Sequence, residues 1–438
     1  MDKVNSILVL GLAFLASLGL YFLLDKSPLF YCANIGLILF ISLPLIFWRI
    51  LKLKLRELKK DQIGKLVFVF VFFVIICFPL IDQLTSVSKD SKFEFKMNEK
   101  RILSRYESLE FDEIDSFPNM FTNFFNDHFG LRSMFISTNN YVKTVNFGIS
   151  STKKVILGSN DWLFYNDCNS LQDHLGNISL SDGQLNKISL NLLKRKAYLK
   201  ARGIEYFVAF LPDKMGVYSS DLPAKYNTVD TTRIDQLIDF VADKGIKIID
   251  VRSQFLKAAK SGKQLYQKND SHWNKNGGLI ASQVIIDNIK KKMNTIREPY
   301  SSEDYEITEK EKRGGDLSNL LGLYDFLPGK RFDYKLKDKS NPKKNIVEPK
   351  YAIYKKEYKH TFVHERDINT PKLLVFNDSF ISYIHGFLGD YFSRSVYVWS
   401  HDFRKDFIEI EKPDIVLHMF VERSIMELGK NKKYYPLK

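Results

Sequence analysis

The chain has 438 residues, 45% of them hydrophobic and 14% aromatic, which is enough for a sizeable core and too long for one average domain. Lys and Arg number 65 against 51 Asp and Glu, a net charge of +14, yet the basic residues fall in no nucleic-acid-binding motif, which argues against such a partner. A mean hydropathy of -0.20 excludes an all-membrane protein, although the apolar residues are unevenly spread. Cys32 and Cys77 lie in apolar runs, Cys168 has no disulfide partner near it, and the scattered histidines form no metal site, so no cofactor is expected.

Three apolar runs open the chain, at residues 7–24, 29–48 and 66–81. Each approaches the ~20 residues a helix needs to cross a bilayer, the third being the shortest. No small-residue cleavage pattern follows the first run and the second begins almost at once, which argues against a signal peptide. The loop between the second and third runs carries Arg49, Lys52, Lys54, Arg56, Lys59, Lys60 and Lys65 against Glu57 and Asp61. Positive loops stay in the cytoplasm. The expectation for residues 1–84 is therefore a multi-pass anchor in a bacterial cytoplasmic membrane. Its three transmembrane helices would start inside and leave the rest of the chain periplasmic or extracellular. Residues 85–150, with the aromatic cluster FPNMFTNFFNDHFGLRS, read as a helical neck.

From residue 151 to 438 the pattern changes to short apolar runs alternating with helix-length segments. GQLNKISLNLLKRKAYLKARG repeats Leu and Ile at helical spacing and ends at Gly203, a helix stop. EYFVAFLPDK is a buried strand closed by Pro212, TTRIDQLIDFVADKG a capped helix, IKIIDV a strand, and GGLIASQVIIDNIKKKM a helix. PKLLVFND, SVYVWS and PDIVLHMF are further strands. Continuously apolar strands separated by helices predict a parallel sheet covered on both faces, a three-layer α/β domain. Residues 300–370, Lys-rich and punctuated by Gly and Pro, read as an insertion of loops or a small subdomain on the rim.

Sites in such sheets gather at the carboxyl ends of strands. Ser379 in VFNDSFISY follows a strand directly, where a tight turn exposes it beside backbone N–H groups able to hold an oxyanion. A plain helix N-cap is the competing reading. Asp270 and His272 in YQKNDSHWNKNGG, one residue apart in an extended segment, would place carboxylate and imidazole on the same side. The Asp then orients a His that takes the Ser proton, and Trp273 shields the pair from water. The competing reading is a polar loop with an incidental His. Asp213 and Lys214, and Tyr218 beyond them, follow a strand in LPDK and either hold substrate or anchor a loop. Asp316 in GGDLSN, Tyr383, and Arg423 after the final strand are equally open, and Asn377 is a candidate second oxyanion donor.

The ordered series FFNDHFGLRS, VILGSNDWLFY, LPDKMGVYSSDLP, YQKNDSHWN, GGDLSNLLGL and VFNDSF resembles the alginate O-acetyltransferase family, the AlgJ- and AlgX-like members of the SGNH hydrolase superfamily. The resemblance covers roughly residues 115–425. It implies Ser379 as acetyl-accepting nucleophile, His272 as general base and Asp270 as its orienter. It also implies acetyl transfer to hydroxyls of an exported polysaccharide, with a membrane-bound O-acyltransferase (MBOAT) protein as acetyl donor. Two departures stand out: three apolar runs where relatives carry a signal peptide or one anchor, and no carbohydrate-binding module after the last strand. An O-acetylesterase with the same site, and a non-catalytic polysaccharide-binding assembly factor, are the alternative functions.

Overall fold

The computed structural model describes residues 60–85, 102–105, 115–226, 231–340, 342–345 and 362–430. The chain divides into two compact units, Met1–Asn139 and Asn140–Lys438. In the first, helix α1 (Lys60–Thr85) is followed by α2 (Phe117–His128) and by the start of α3 (Arg132–Tyr141), so the stretch expected to be a neck holds two helices, while its residues 102–105 form none. Pro118 stands in the first turn of α2, where its missing N–H costs nothing. Phe117, Phe121, Phe125 and Phe129 stack at centroid spacings of 6.0, 6.3 and 6.1 Å, the i, i+4 spacing of one helix face. The Asp82 carboxylate accepts the backbone N–H of Leu131 at 3.2 Å.

The first two expected spans lie outside the described residues. The third falls on α1, whose side chains from Val67 to Ile76 are exposed, Phe68 by 73%. Among the described residues, however, no helix is long and apolar enough to cross a membrane. The apolar run at 66–81 rises only about 24 Å, against a hydrocarbon core of about 30 Å.

In the second unit a β1–β2 hairpin (Val155–Leu157, Leu163–Tyr165) precedes helix α4 (Asp182–Lys200). Ser181 caps α4 with a reciprocal bond pair to Gln184. Strand β3 (Glu205–Leu211), helix α5 (Arg233–Val241) and strand β4 (Ile248–Asp250) come next. Helices α6 (Arg252–Lys260) and α7 (Lys275–Lys290) lead to a long hairpin, β5 (Tyr305–Lys312) and β6 (Gly329–Leu336). The chain then forms β7 (Lys344–Asn345), β8 (Phe362–Glu365), β9 (Lys372–Asn377), β10 (Arg394–Trp399), helix α8 (Lys405–Glu411) and β11 (Ile415–Val421).

Seven strands form the main sheet in the order β4-β3-β11-β9-β10-β8-β7. The five from β4 to β10 are parallel, as their unbroken apolar runs predict. The all-parallel expectation needs correction at one edge, where β8 and β7 run antiparallel. Six residues separate Glu365 from Lys372, too few for the crossover that parallel pairing would need.

Alternation along the strands sends side chains to both faces. Phe207, Ala209 and Leu211 of β3 pack with Phe255 of α6 and Ile285 of α7 on one side. Val208 and Phe210 pack with Leu192 of α4 and Phe407 of α8 on the other. This is the predicted three-layer arrangement. Each fully buried Phe or Leu contributes roughly 1.5–3 kcal/mol of transfer free energy, so β9, with Leu374, Val375 and Phe376 at 0% exposure, is a rigid mount for the turn at its carboxyl end.

Candidate active site

The carboxyl end of β9 turns sharply at Asn377 and Asp378. Asp378, not Ser379, is the cap of the 3-10 turn Ser379–Tyr383: its carboxylate accepts the N–H of Phe380 at 3.0 Å and that of Val421, on β11, at 2.8 Å. Ser379 is thereby released from the capping duty that competed with a chemical one. Ile381 N–H goes to the Asp378 carbonyl at 3.3 Å, which leaves the Ser379 N–H as the donor at the mouth of the turn.

Asp270 and His272 are brought together by a different route from the extended segment expected. Residues 265–274 form a narrow hairpin in which Asn274 N–H donates to Leu265 O and Gln267 N–H to His272 O. At its tip the Asp270 carboxylate accepts the backbone N–H of His272 at 3.0 Å, an Asx-type turn. The same oxygen accepts the His272 Nδ1–H at 2.7 Å, and Ser379 Oγ lies 2.7 Å from Nε2. A carboxylate only accepts, so Asp270 keeps the proton on Nδ1 and turns the Nε2 lone pair toward the Ser379 hydroxyl. Asp270, His272 and Ser379, selected from sequence, thus form one hydrogen-bonded chain at the edge of the sheet.

Burial pushes the Asp270 carboxyl upward, but the His272 hydrogen bond and the charges of His272 and Lys312 outweigh it and hold the group well below the usual carboxylate range. Trp273 is fully buried and its indole N–H donates to Phe380 O at 2.9 Å, tying the histidine hairpin to the serine turn. Gly278 is required beneath them, since a Cβ there would sit 2.2 Å from Tyr383 O.

The remaining sequence candidates separate into two groups. Lys214 is buried, and its ammonium donates to the carbonyls of Leu163, Gln267 and Lys268 at 2.7, 2.7 and 3.2 Å, so it anchors the histidine hairpin from below. Burial pushes it down to about 7, against the opposing charges of Asp270 and Asp316. Asp213 is paired with Arg423, whose guanidinium lies over the rings of Tyr165 and Phe380. Tyr218 donates to Lys263 O. Asn377 is fully buried and its amide donates to Asp378 O at 3.2 Å, so that donation points back along its own chain. Tyr383, by contrast, faces the site with its ring 6.1 Å from that of His272. Its oxygen accepts Gln267 Nε2–H at 2.7 Å, and burial, then Asp270, push its hydroxyl up to about 12, so it stays protonated.

Asp316, left open between holding substrate and anchoring a loop, lies at the imidazole, together with two residues that no motif marked, Lys312 and Gln267. Asp316 Oδ2 is 3.5 Å from His272 Nδ1, and Lys312 Nζ is 3.5 Å from Asp270 Oδ2 and 2.5 Å from Gln267 Oε1. GGD before a helix was the one available signal. Donor atoms of Asp270, His272 and Asp316 lie within 4.8 Å of one another, close enough to hold a metal ion. An ion on Nδ1 and the Nδ1–H bond to Asp270 exclude each other.

Beside the triad opens a groove of about 870 Å³. Gln267, Ser382 and Tyr383 form its inner wall, and Tyr305, Phe332, Tyr334 and Phe387 supply aromatic faces. Lys275, Lys312, Lys330, Arg331, Lys335, Lys339, Lys343 and Arg366 line it against Asp338 and Asp390 alone.

Residues 155–347 match the family model of the SGNH hydrolase-like domain, acetyltransferase AlgX, a stretch that holds Asp270, His272 and Asp316 and stops short of Ser379. The chain carries an AlgJ/AlgX-like SGNH domain. The probable alginate O-acetylase AlgJ of Pseudomonas fluorescens is 28% identical over 178 residues, which are 39% of this chain and 41% of the relative. The chain thus spans about two fifths of the length of the curated relative it matches. Among solved structures, Bacillus cereus PatB1 is similar at 20% identity and a TM-score of 0.45, over 63% of this chain and 99% of that one. The O-acetyltransferase domain of Pseudomonas putida AlgJ is similar at 16% identity and a TM-score of 0.40, over 62% and 92%.

Proposed function

We propose that this protein transfers acetyl groups to hydroxyls of a polysaccharide through an acetyl-Ser379 intermediate. The observation that carries the reading is the chain of two 2.7 Å contacts from Ser379 Oγ through His272 to Asp270 at the open end of the sheet. In the first half-reaction Oγ attacks the acetyl carbonyl carbon and its proton passes to Nε2. The Oγ–C bond forms, the carbonyl oxygen takes the negative charge beside the Ser379 N–H, and the bond to the leaving oxygen breaks as Nε2 returns the proton to it. In the second, a sugar hydroxyl attacks the acetyl carbon, gives its proton to Nε2, and Oγ leaves as it takes that proton back. Asp270 holds the imidazole and stabilises its charged form at each stage.

The groove is the acceptor side of this reading. Aromatic faces suit sugar rings, and a lining of eight cations, of which Lys312, Lys330 and Arg331 are partly offset by Asp270, Glu309 and Asp333, still favours a glycan that carries acid groups. The acetyl donor is proposed to be an MBOAT protein at the membrane, to which the N-terminal apolar runs attach the chain.

The test is Ser379→Ala in the full chain, assayed with an acetyl ester donor and glycan oligomers. Loss of at least about 10³-fold in transfer is expected, since Ser379 Oγ is the hydroxyl held at the His272 Nε2 that takes its proton. The variant should still bind uronate oligomers more tightly than neutral ones, and less tightly as salt rises. Transfer that survives the substitution refutes the acetyl-serine, and wild-type hydrolysis without any transfer would make the protein an esterase.

A further inference from the structure

A second carboxylate stands beside the His272 imidazole, and it comes from the insertion rather than from the sheet. We propose that Asp316 is a positioning residue for His272, supplying the negative charge that Lys312 offsets at Asp270. This inference rests on the acetyl-Ser379 reading above. Asp316 Oδ2 lies 3.5 Å from Nδ1, too far for a good hydrogen bond and near enough for its charge to be felt. Its orientation is fixed. Ser271 N–H donates to Oδ1 at 2.6 Å, Ser271 Oγ–H donates to Oδ2 at 2.5 Å, and the Asp316 N–H donates to Asp270 Oδ2 at 3.2 Å.

The need for it comes from counting charges. Asp270 presents one negative charge to the imidazole, but Lys312 Nζ sits 3.5 Å from the far oxygen of that carboxylate. The two together are close to neutral, and Asp316 adds a full negative charge beside the ring, which the buried Lys214 answers only in part from beneath the hairpin. When the Ser379 proton reaches Nε2, the imidazolium forms beside that charge instead of beside a balanced pair. The other groups around the ring do not replace it. Tyr383 is held protonated, Lys214 is turned away onto three carbonyls beneath the hairpin, and Arg331 lies on the groove wall. Lys312 ends β5 and Asp316 opens the short helix Asp316–Leu320, so two residues four positions apart in the insertion set both charges.

Holding Ser271 in place would ask only for the shape of Asp316, which Asn preserves. Supplying charge asks for the carboxylate. The full chain is assayed with p-nitrophenyl acetate for kcat and KM against pH, as wild type, Asp316→Asn, Lys312→Met, the double variant and Ser379→Ala, with thermal melts to check folding. Asp316→Asn is expected to lower kcat about 10- to 100-fold, at or below the low end of what a general base contributes, with KM changed less than about twofold. The acid limb of its profile moves to lower pH, that of Lys312→Met moves to higher pH, and the double variant returns toward wild type. An Asp316→Asn enzyme with wild-type kcat and profile overturns the inference, as does a double variant in which the two shifts fail to cancel. Should Asp316→Asn not fold, an unmoved acid limb in Lys312→Met overturns it alone. Turnover by Ser379→Ala would instead refute the acetyl-serine, a separate outcome.

Discussion

At the scale of single residues, the site was legible where its chemistry is local. Asp270 and His272 are two positions apart and Ser379 follows its strand directly, so short motifs announce them. Asp316 is 46 positions from Asp270, and only the folded chain shows that its N–H meets that carboxylate. The base of the site hides a further group of this kind. Glu422 accepts the Asp213 N–H at 2.7 Å, and Asp213 in turn is paired with Arg423. Burial first, and Asp213 second, push the Glu422 carboxyl up to about 8. Between the ordinary carboxyl value and about 8, the folded chain therefore keeps a proton that the unfolded chain has lost. Stability present at low pH is lost as pH rises through that window. Glu422→Gln keeps the acceptor and removes the titration. It is expected to melt with wild type near pH 4.5 and about 3 °C above it at pH 8. Melting curves that stay parallel across the range would show that Glu422 does not titrate there.

At the scale of elements, helices and central strands appear where periodicity and capping residues put them. Ser181, Thr232 and Asn274 each stand at the N-cap of a helix read from the sequence. The insertion was not legible in the same way. β5 carries Lys and Glu on exposed positions, with neither an apolar run nor a clean alternation, and the alternation of Phe332, Tyr334 and Leu336 in β6 is too short to stand out from the Lys-rich stretch around it. Their consequence lies in what they press against. Gly315 meets the histidine hairpin so closely that an added Cβ would lie 2.4 Å from Asp270 Cβ and 2.5 Å from Asn269 O. Neither atom is the loose end of a flexible chain, so Gly315→Ala must move the hairpin tip. A loss of at least about tenfold in kcat is expected, because displacements of an ångström in such sites cost up to about a hundredfold. Gly183→Ala is the control, with Ser181 Oγ at 3.9 Å as its sole near contact. Equal activity of the two variants would mean that the insertion does not set the hairpin.

At the scale of the whole molecule, charge and hydropathy are segregated along the chain. The apolar runs at 7–24 and 29–48 precede a loop of seven Lys and Arg residues against two acids, and the folded domain comes after them. A glycan modified after export and a basic, aromatic groove fit a domain held on the outer side of the cytoplasmic membrane, which we propose for residues 140–438. The positive loop is expected to stay in the cytoplasm. Outer placement then requires the run at 66–81 to cross, and because that run is shorter than the hydrocarbon core the bilayer around it would have to thin. Alkaline phosphatase, active only outside, and a fluorescent protein, bright only inside, fused in turn after residues 57 and 100 would read both points. The expected pattern is fluorescence at 57 and phosphatase activity at 100. Fluorescence at both positions would put the domain in the cytoplasm, and its acceptor would then have to be a glycan not yet exported.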